Sequence, residues 1–352
     1  MTAATMSSEG PGLPAPSQVP ASLARGRELT TPALRAAVDG LSPQMRLVSG
    51  YHLGWLAADG SAMPGSGGKA VRPALAVLSA EAAGAPGEVG VPGGVAVELV
   101  HNFSLLHDDL MDGDTERRHR ATAWTAFSPS LAILAGDALL ALAQQALLEV
   151  GNDRGLAAAR RLGIATQDLI TGQVDDLAFE SRSHVGVDEV LAMAAGKTGA
   201  LLACAASIGA ELAGAPAALV DGLAAYGAHL GLAFQLVDDL LGIWGDPSVT
   251  GKPVLSDLRS RKKSVPVVVA VNAGGSAAQE LARMLGDERP HDEDDLVRMA
   301  GLVEEAGGRA WTVTEARRQL DEALSRLRLL DMPDPVRDEL GAVARFVTTR
   351  ES

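Results

Sequence analysis

Two pairs of adjacent aspartates lie inside long apolar segments that have the composition of buried helices. The first pair is Asp108 and Asp109, followed by Asp112, and the second is Asp238 and Asp239. Buried carboxylates are costly unless a cation shares them. On a helix, Asp108 and Asp112 lie on one face, and such carboxylates suit Mg²⁺, which keeps waters and binds phosphates. The sequence therefore predicts a cavity in which two helices hold Mg²⁺ over a diphosphate.

The spacing of apolar residues predicts an all-α fold. From residue 31 onward, long segments of helix-period Leu and Ala alternate with short Gly- and Pro-rich breaks. Residues 265–271 are the only local candidate for a β-strand. We therefore expect one domain over residues 31–352, a helical bundle around a central active-site cavity. Residues 1–30 are rich in Pro, Ala and Ser, and we expect them to form a disordered tail.

Composition excludes several classes of partner. The net charge of −14 argues against nucleic acid as a partner. Charged residues interrupt the long apolar stretches, so we expect no membrane span. The single cysteine, Cys204, excludes an internal disulfide and fits a reducing compartment. Because no signal peptide is recognisable, we expect a cytoplasmic protein.

The basic residues are placed as a diphosphate site requires. Of the 30 basic residues only five are Lys, and all five lie beside Gly, Pro, Ser or Thr breaks. Ammonium groups at loops and helix ends suit phosphate binding. The guanidinium groups of Arg117 and Arg118, which follow the first aspartates, match phosphate oxygens too. A solvated charge run is the alternative interpretation of this Arg pair. The five lysines are Lys69, Lys197, Lys252, Lys262 and Lys263.

A series of motifs in fixed order resembles the trans-isoprenyl diphosphate synthases, or polyprenyl synthetases. The resemblance extends from about residue 31 to residue 350 and depends on seven motifs rather than one, which makes it specific. The motifs are residues 67–73, 101–112, 117–118, 172–176, 197–198, 234–239 and 251–253.

The resemblance implies an isoprenoid synthase fold, a homodimer, Mg²⁺ as cofactor, and condensation of isopentenyl diphosphate with dimethylallyl, geranyl or farnesyl diphosphate. The metal-binding residues it implies are Asp108, Asp109, Asp112, Gln173, Asp176, Asp238 and Asp239. The residues it implies for the allylic diphosphate are Arg117, Lys197 and Lys252, with Lys262 as a further cation. Those it implies for isopentenyl diphosphate are Lys69, Arg72, His101 and Arg118. Thr198 and Gln235 would face the developing carbocation.

The implied chemistry agrees with the residues present. Loss of diphosphate leaves an allylic cation, so catalysis needs positive charge on the leaving oxygens and a dry apolar pocket. No nucleophilic Ser or Cys is required. His107 and His119 therefore need no catalytic role, and a structural place beside the aspartates is expected.

Two positions depart from the family pattern. The second acidic motif usually ends in Asp, but position 242 is Gly. Because Asp238 is present, we expect activity to survive with a weaker hold on one Mg²⁺, and Asp246 could partly compensate. Ala70 replaces a common Arg, which removes no residue assigned to a phosphate.

Product length is indicated by the residues that precede Asp108. The prenyl chain should run between helices past Phe103 and Ser104, which lie five and four residues before Asp108. One aromatic residue with a small neighbour resembles the enzymes that make geranylgeranyl diphosphate, and farnesyl diphosphate is the second expectation. A plain core role for Phe103 is the alternative.

Two other functions remain open at this stage. A class I terpene cyclase shares the helical cavity and the first acidic motif, but it would not need a second diphosphate site. A non-catalytic partner subunit of a prenyl synthase is the other alternative, suggested by Gly242.

Overall fold

The computed structural model describes residues 19–63, 68–246, 254–287 and 289–349. Its first half contains the helices α1 (Ala21–Asp39), α2 (Pro43–His52), α3 (Val71–Ala82), α4 (Val91–Met111), α5 (Ala123–Ala126), α6 (Pro129–Leu148) and α7 (Asp153–Ser181). A small antiparallel hairpin joins α4 to α5 and consists of β1 (Glu116–Arg117) and β2 (Arg120–Ala121).

The second half is also helical. Its helices are α8 (Val187–Ala194), α9 (Ala200–Ala213), α10 (Ala217–Trp244), α11 (Ser256–Arg259), α12 (Val265–Asn272), α13 (Gly275–Leu285), α14 (Glu293–Glu305), α15 (Gly308–Arg328) and α16 (Asp334–Thr348). The β-branched run at 265–271 is therefore a helix. Pro266 in its first turn has the backbone angle that a helix start requires and no N–H to leave unpaired.

The long helices pack around α10 and α4. Helix α10 packs against α9 and α15, α3 packs against α9, and α4 packs against α6. Tyr226 of α10 is fully buried, and its hydroxyl donates a 2.8 Å hydrogen bond to the carbonyl of Leu340 in α16. This bond satisfies the phenolic group inside the core and ties the last helix to the centre of the bundle.

The helical domain begins earlier than the sequence predicted. Helix α1 starts at Ala21, so residues 21–30 are not part of a disordered tail. Leu23, Gly26 and Thr30 are buried at helical spacing, and an ideal Cβ on Gly26 would lie 2.5 Å from the Cα of Ala74. Close packing on α3 stabilises this turn of helix, and no local composition signal reveals such packing. Residues 1–18 of the predicted tail lie outside the described residues.

Among the residues that the structure describes, four stretches are long and apolar enough to cross a membrane by length and composition: Gly87–Met111, Pro129–Leu148, Val187–Ala213 and Ala217–Trp244. The most apolar 18 residues of each stretch contain at most two Asp, Glu, Lys or Arg, and the absence of a membrane span stays a prediction. A helix that is apolar on most sides is either a membrane span or a buried element. Here these helices pack against one another and against α3, α7 and α15, so the bundle itself covers part of their apolar surface.

Candidate active site

The first aspartate group lies at the C-terminal end of α4. Asp108 is in the last turn, and Asp112 follows the last helical residue and donates its backbone N–H to the Asp108 carbonyl at 2.8 Å. Carboxylates here face the negative end of the helix dipole, which destabilises their charge. This arrangement is suited to binding a cation rather than to stabilising the helix.

The electrostatics of these two carboxylates agree with that interpretation. Burial raises the pKa of Asp108 to about 6, with nearby Asp112 adding to the rise and Lys197 opposing it. Burial also raises the pKa of Asp112, and the carboxylate of Asp176 on α7 contributes. Three carboxylates and one ammonium group are therefore close enough to influence one another across α4 and α7.

Asp109 has a supporting position. Its side chain is buried, and its Oδ1 accepts a 2.6 Å hydrogen bond from the Nε of Arg117 on the hairpin. Its Oδ2 is buried without a hydrogen-bond partner within the described part of the chain. One oxygen of Asp109 therefore fixes the hairpin to α4, and the other remains available for a water or an ion.

The second aspartate pair lies near the end of α10, and its two members have different surroundings. Asp239 is buried, its Oδ2 accepts the backbone N–H of Val265 at 2.9 Å, and its Oδ1 accepts the amide of Gln235 at 2.8 Å. Burial raises its pKa to about 6, against the opposing charge of Lys262. Asp238 is exposed to a cavity instead. Asp239 therefore anchors α12 to α10, while Asp238 faces the cavity.

Lys197 and Thr198 lie in a widened π turn over residues 195–199, between α8 and α9. Such turns occur often at functional sites. The Nζ of Lys197 lies 2.6 Å from Oδ2 of Asp176, and the Thr198 hydroxyl donates a 2.6 Å hydrogen bond to Oε1 of Gln235. The turn thus connects α7 on one side with α10 on the other.

Helix α7 comes unusually close to this turn at Gly172. An ideal Cβ on Gly172 would lie 2.3 Å from the backbone nitrogen of Lys197, so a larger residue would push the turn away. The next residue, Gln173, is buried, and its amide oxygen and nitrogen have no hydrogen-bond partner among the residues described. Buried, unpaired amide atoms next to carboxylates indicate a site for bound water or ligand.

A basic cavity of about 380 Å³ lies beside Asp238. Desolvation lowers the pKa of His101 well below its ordinary value, and the charges of Arg72 and Arg118 lower it further. His101 is therefore neutral at physiological pH, among permanent cations. The predicted site residues that line this cavity are Lys69, Arg72, His101, Arg117, Arg118 and Asp238.

The hairpin places Arg118 by means of a strained turn. Arg118 and His119 have φ angles of +52° and +60°, in the left-handed region that β-hairpin turns of this length require. Non-glycine residues in this conformation cost about 1 kcal/mol each and are often found at functional sites. The turn brings Nη2 of Arg118 to 3.4 Å from the position of a Cβ on Gly68, beside Lys69.

A second, acidic cavity of about 640 Å³ lies beside the end of α4 and is lined by Asp112, by Asp176 of α7 and by side chains of residues 256–263. Lys262 lines it and is surrounded by the carboxylates of Asp239, Asp257 and Asp176. These charges raise the pKa of Lys262 in spite of its burial. The structure therefore places Lys262 among carboxylates, away from the basic cavity. Lys252, predicted for the allylic diphosphate, lies outside the described residues.

The predicted chain-length residues lie one to two turns below Asp108. Phe103 is buried, and its ring makes an edge contact with His107 at a centroid distance of 4.9 Å. Nε2 of His107 lies 3.0 Å from the carbonyl oxygen of Ile133. The ring also lies against Gly136, where a Cβ would be 2.3 Å from Nε2. Ser104 is buried, and its hydroxyl bonds back to the carbonyl of His101 at 2.9 Å. His107 thus has a structural place between α4 and α6.

Sequence reasoning missed two residues beside the basic cavity. Desolvation lowers the pKa of His52 to about 3, with Arg117 and Arg118 contributing. Arg120 donates hydrogen bonds of 3.1 Å to the carbonyls of Tyr51 and Leu56 and holds the hairpin against α2. Neither residue lies in a recognisable motif, so only the tertiary contacts reveal them.

A family model described as polyprenyl synthetase matches residues 54–303 of this chain. The chain belongs to the polyprenyl synthetase family. The resemblance and the all-α isoprenoid synthase fold predicted from the sequence are therefore confirmed.

Similar proteins include two synthases of Mycobacterium tuberculosis (strain ATCC 25618 / H37Rv). The (2E,6E)-farnesyl diphosphate synthase is 50% identical over 333 residues, which cover 94% of this chain and 93% of that protein. The geranylgeranyl diphosphate synthase is 44% identical over the same length and coverage. This polyprenyl synthetase is therefore an enzyme, a trans-prenyl diphosphate synthase.

Solved structures agree with the fold. The crystal structure of a polyprenyl synthetase from Streptomyces coelicolor A3(2) is 58% identical, has a TM-score of 0.90, and covers 93% of this chain and 98% of that one. A geranylgeranyl pyrophosphate synthase from Corynebacterium glutamicum, complexed with isoprenyl diphosphate and magnesium, is 27% identical with a TM-score of 0.81 and covers 95% and 100%.

The described side chains of the acidic site provide too few ligands to enclose a metal ion, which fits Mg²⁺ bound together with waters and phosphate oxygens. Within the described ranges, no three His, Cys, Asp or Glu side chains are grouped closely enough to bind a metal ion together. Mg²⁺ typically uses one or two carboxylates and keeps waters and phosphate oxygens for its other positions. Asp108 and Asp112 on one helix, the unpaired oxygen of Asp109 and the unpaired amide of Gln173 match that requirement.

Proposed function

We propose that this synthase condenses isopentenyl diphosphate with an allylic diphosphate and that farnesyl diphosphate is its main product. The observation that carries the proposal is the pairing of two cavities. One is acidic and is lined by Asp112 at the end of α4 and by Asp176 of α7, and the other is basic and is lined by Asp238 of α10. A prenyl cyclase would need only the first, whereas condensation of two diphosphates uses both.

The reaction follows from these positions. The C–O bond of the allylic diphosphate breaks, and its electron pair leaves with the diphosphate. The double bond of isopentenyl diphosphate then attacks the allylic carbon to form the new C–C bond. A proton is lost from the adjacent carbon, and the released diphosphate is the base that accepts it.

Mg²⁺ would be held by Asp108, Asp112 and Asp238, and when bound it would neutralise charge on the leaving diphosphate. Asp109 and Gln173 would order its waters with their unpaired atoms. Lys197 would add a fixed positive charge on the allylic side, positioned by its 2.6 Å contact with Asp176.

Thr198 and Gln235 would stabilise the carbocation. The hydroxyl hydrogen of Thr198 is used in its bond to Gln235, and the amide of Gln235 is oriented by its bond to Asp239. The oxygen lone pairs of Thr198 therefore remain for a developing positive charge. Because Asp239 is itself fixed by Val265, this orientation is set before substrate binds.

Isopentenyl diphosphate would occupy the basic cavity. Lys69, Arg72 and Arg118 supply the permanent positive charges there. His101, whose pKa is lowered, would act as a neutral hydrogen-bond donor to a phosphate oxygen. Arg117 also lines this cavity and is bonded to Asp109 of the first acidic motif.

Farnesyl diphosphate is supported by the wall that Phe103 forms with His107. His107 is held against α6 by Ile133 and Gly136, and the Phe103 ring packs on it one to two turns before Asp108. A ring fixed at this depth would limit growth of the prenyl chain. The higher identity with a farnesyl than with a geranylgeranyl diphosphate synthase supports this order. Geranylgeranyl diphosphate, first expected from the sequence, is the second candidate.

A homodimer is supported by an apolar outer surface on α6 and α7. Several large side chains there are more than 40% exposed, which is unusual for the surface of a monomer. They are Ile133, Leu134, Leu148, Leu156, Ile164, Ile170 and Val174. Light scattering after size exclusion should show a dimer, and Leu134→Glu with Ile164→Glu should give monomers. Binding of the wild type to neutral phospholipid vesicles as a monomer would show that a membrane covers this surface instead.

The test of the reaction is chromatography of products from purified protein with isopentenyl diphosphate and each allylic primer in turn. We expect a C15 product that requires Mg²⁺ and disappears with chelator. Asp108→Ala should lower turnover at least ~10²-fold, the effect of losing a major electrostatic stabiliser. Conversion of an allylic diphosphate without consumption of isopentenyl diphosphate would favour a cyclase. An inactive wild type with intact fold would favour a partner subunit.

A further inference from the structure

The space beside Gly242 on α10 is filled by a carboxylate from another segment. An ideal Cβ on Gly242 would lie 2.3 Å from Oδ2, 2.4 Å from Cγ and 2.5 Å from Oδ1 of Asp257. Real side-chain atoms do not approach so closely, so Asp257 can hold this place only if residue 242 has no side chain. A glycine inside a helix costs about 1 kcal/mol relative to alanine, and this contact explains why it is present.

The segment that carries Asp257 is attached to α10 at this level. The backbone N–H of Leu255 donates to the carbonyl of Ile243 at 3.2 Å, and the hydroxyl of Ser256 donates to the carbonyl of Gly242 at 3.1 Å. The carbonyl of Asp257 accepts the backbone N–H of Lys262 at 2.8 Å. Asp257 is 9% exposed, so its carboxylate is held inside the protein against α10.

The carboxylate of Asp257 shares its charged neighbour Lys262 with the second acidic motif. Lys262 interacts with Asp257, Asp239 and Asp238, and Asp257 also acts on Asp239. Asp257 and Lys262 both line the acidic cavity. The sequence suggested Asp246 as a compensating residue, but Asp246 lies beyond the end of α10 and is exposed.

We propose that Asp257 is a positioning residue that supplies, from helix α11, the carboxylate missing at position 242. This inference rests on the proposed function, because the carboxylate would hold Lys262 and the waters of the Mg²⁺ bound by Asp238. Gly242 is then not a defect in the second acidic motif, since its missing side chain makes room for Asp257.

The test is an exchange of the two carboxylates. The variants are Asp257→Ala, Gly242→Asp and the double variant Gly242→Asp with Asp257→Ala. Asp257→Asn keeps the shape without the charge, and Asp294→Ala on exposed surface of α14 is the matched control. Thermal unfolding is measured without ligand and with inorganic diphosphate over a range of Mg²⁺ concentrations.

Asp257→Ala and Asp257→Asn should raise the Mg²⁺ concentration for half-maximal stabilisation by diphosphate at least about tenfold, as expected for loss of an outer partner of a metal ion. Gly242→Asp alone should lower the melting temperature without ligand, because two carboxylates compete for one space. The double variant should recover the wild-type Mg²⁺ dependence and the wild-type melting temperature without ligand. Asp294→Ala should change neither quantity.

Two results would overturn the inference. One is an unchanged Mg²⁺ dependence in both Asp257 variants. The other is a double variant whose ligand-free melting temperature is no higher than that of Gly242→Asp alone. Failure of the proposed function is seen separately, as a wild type that diphosphate and Mg²⁺ do not stabilise. In that case the ligand-free melting temperature of the double variant still tests the packing. Its recovery would show that a carboxylate at position 242 can fill the space that Asp257 occupies.

Discussion

The ammonium group of Lys197 lies 2.6 Å from the carboxylate of Asp176, so the π turn before α9 is joined to α7 at the edge of the acidic cavity. The same ammonium group acts on Asp108 and Asp112 across the cavity. Lys197 thus interacts with carboxylates at the end of α4 and is held in place by Asp176 of α7.

Lys197→Ala should lower turnover by about 10²-fold, because a fixed charge near the leaving diphosphate is lost. Asp176→Asn should have a smaller effect, since it leaves the ammonium group present but less well held. Steady-state rates with saturating substrates measure both. Equal losses in the two variants would mean that Lys197 acts only through Asp176 and not on substrate.

Arg72→Ala should raise the Michaelis constant for isopentenyl diphosphate far more than that for the allylic primer. Arg72 lines the basic cavity with His101 and Lys69, whereas the carboxylates of Asp108 and Asp112 lie outside it. Initial rates with one substrate varied at a time separate the two constants. An equal rise in both would show that the two diphosphate sites are assigned wrongly.

Phe103→Ala should lengthen the main product by at least one five-carbon unit, because the space left by the ring can be filled by prenyl chain. Ser104→Phe should lower the proportion of products that are longer than fifteen carbons. Leu281→Ala is the control, since Leu281 is fully buried in a separate cluster around α13 and α14. It should reduce stability without altering product length. An unchanged product in both Phe103 and Ser104 variants would leave Phe103 as a core residue.

Stability should fall as pH is lowered below about 6.5, in part because of His52. Its pKa in the folded protein is about 3, against an ordinary value of 6.5. Between these values the unfolded chain binds a proton that the folded chain excludes, so acid favours unfolding. His52→Gln should flatten the pH dependence of unfolding by urea over this window. His119→Gln, on the exposed hairpin turn, is the control and should leave it unchanged.

Much of the site could be predicted from the sequence because each motif places its side chains by local geometry. Asp108 and Asp112 share a helix face whatever surrounds that helix, and the helix period of Leu and Ala is enough to predict an all-α bundle. The start of α1 could not be predicted in this way. Residues 21–30 become helical by packing on α3, and their composition resembles that of a tail.

Contacts between distant segments were decided only by the tertiary structure. Asp238 and Asp239 are equivalent in the motif, yet packing of α12 on α10 buries Asp239 against Val265 and leaves Asp238 facing the cavity. The sequence shows a missing carboxylate at Gly242, whereas the fold brings Asp257 into the same space. A motif specifies which side chains a helix carries, but the positions of neighbouring segments determine which of them are buried, paired or left available for substrate.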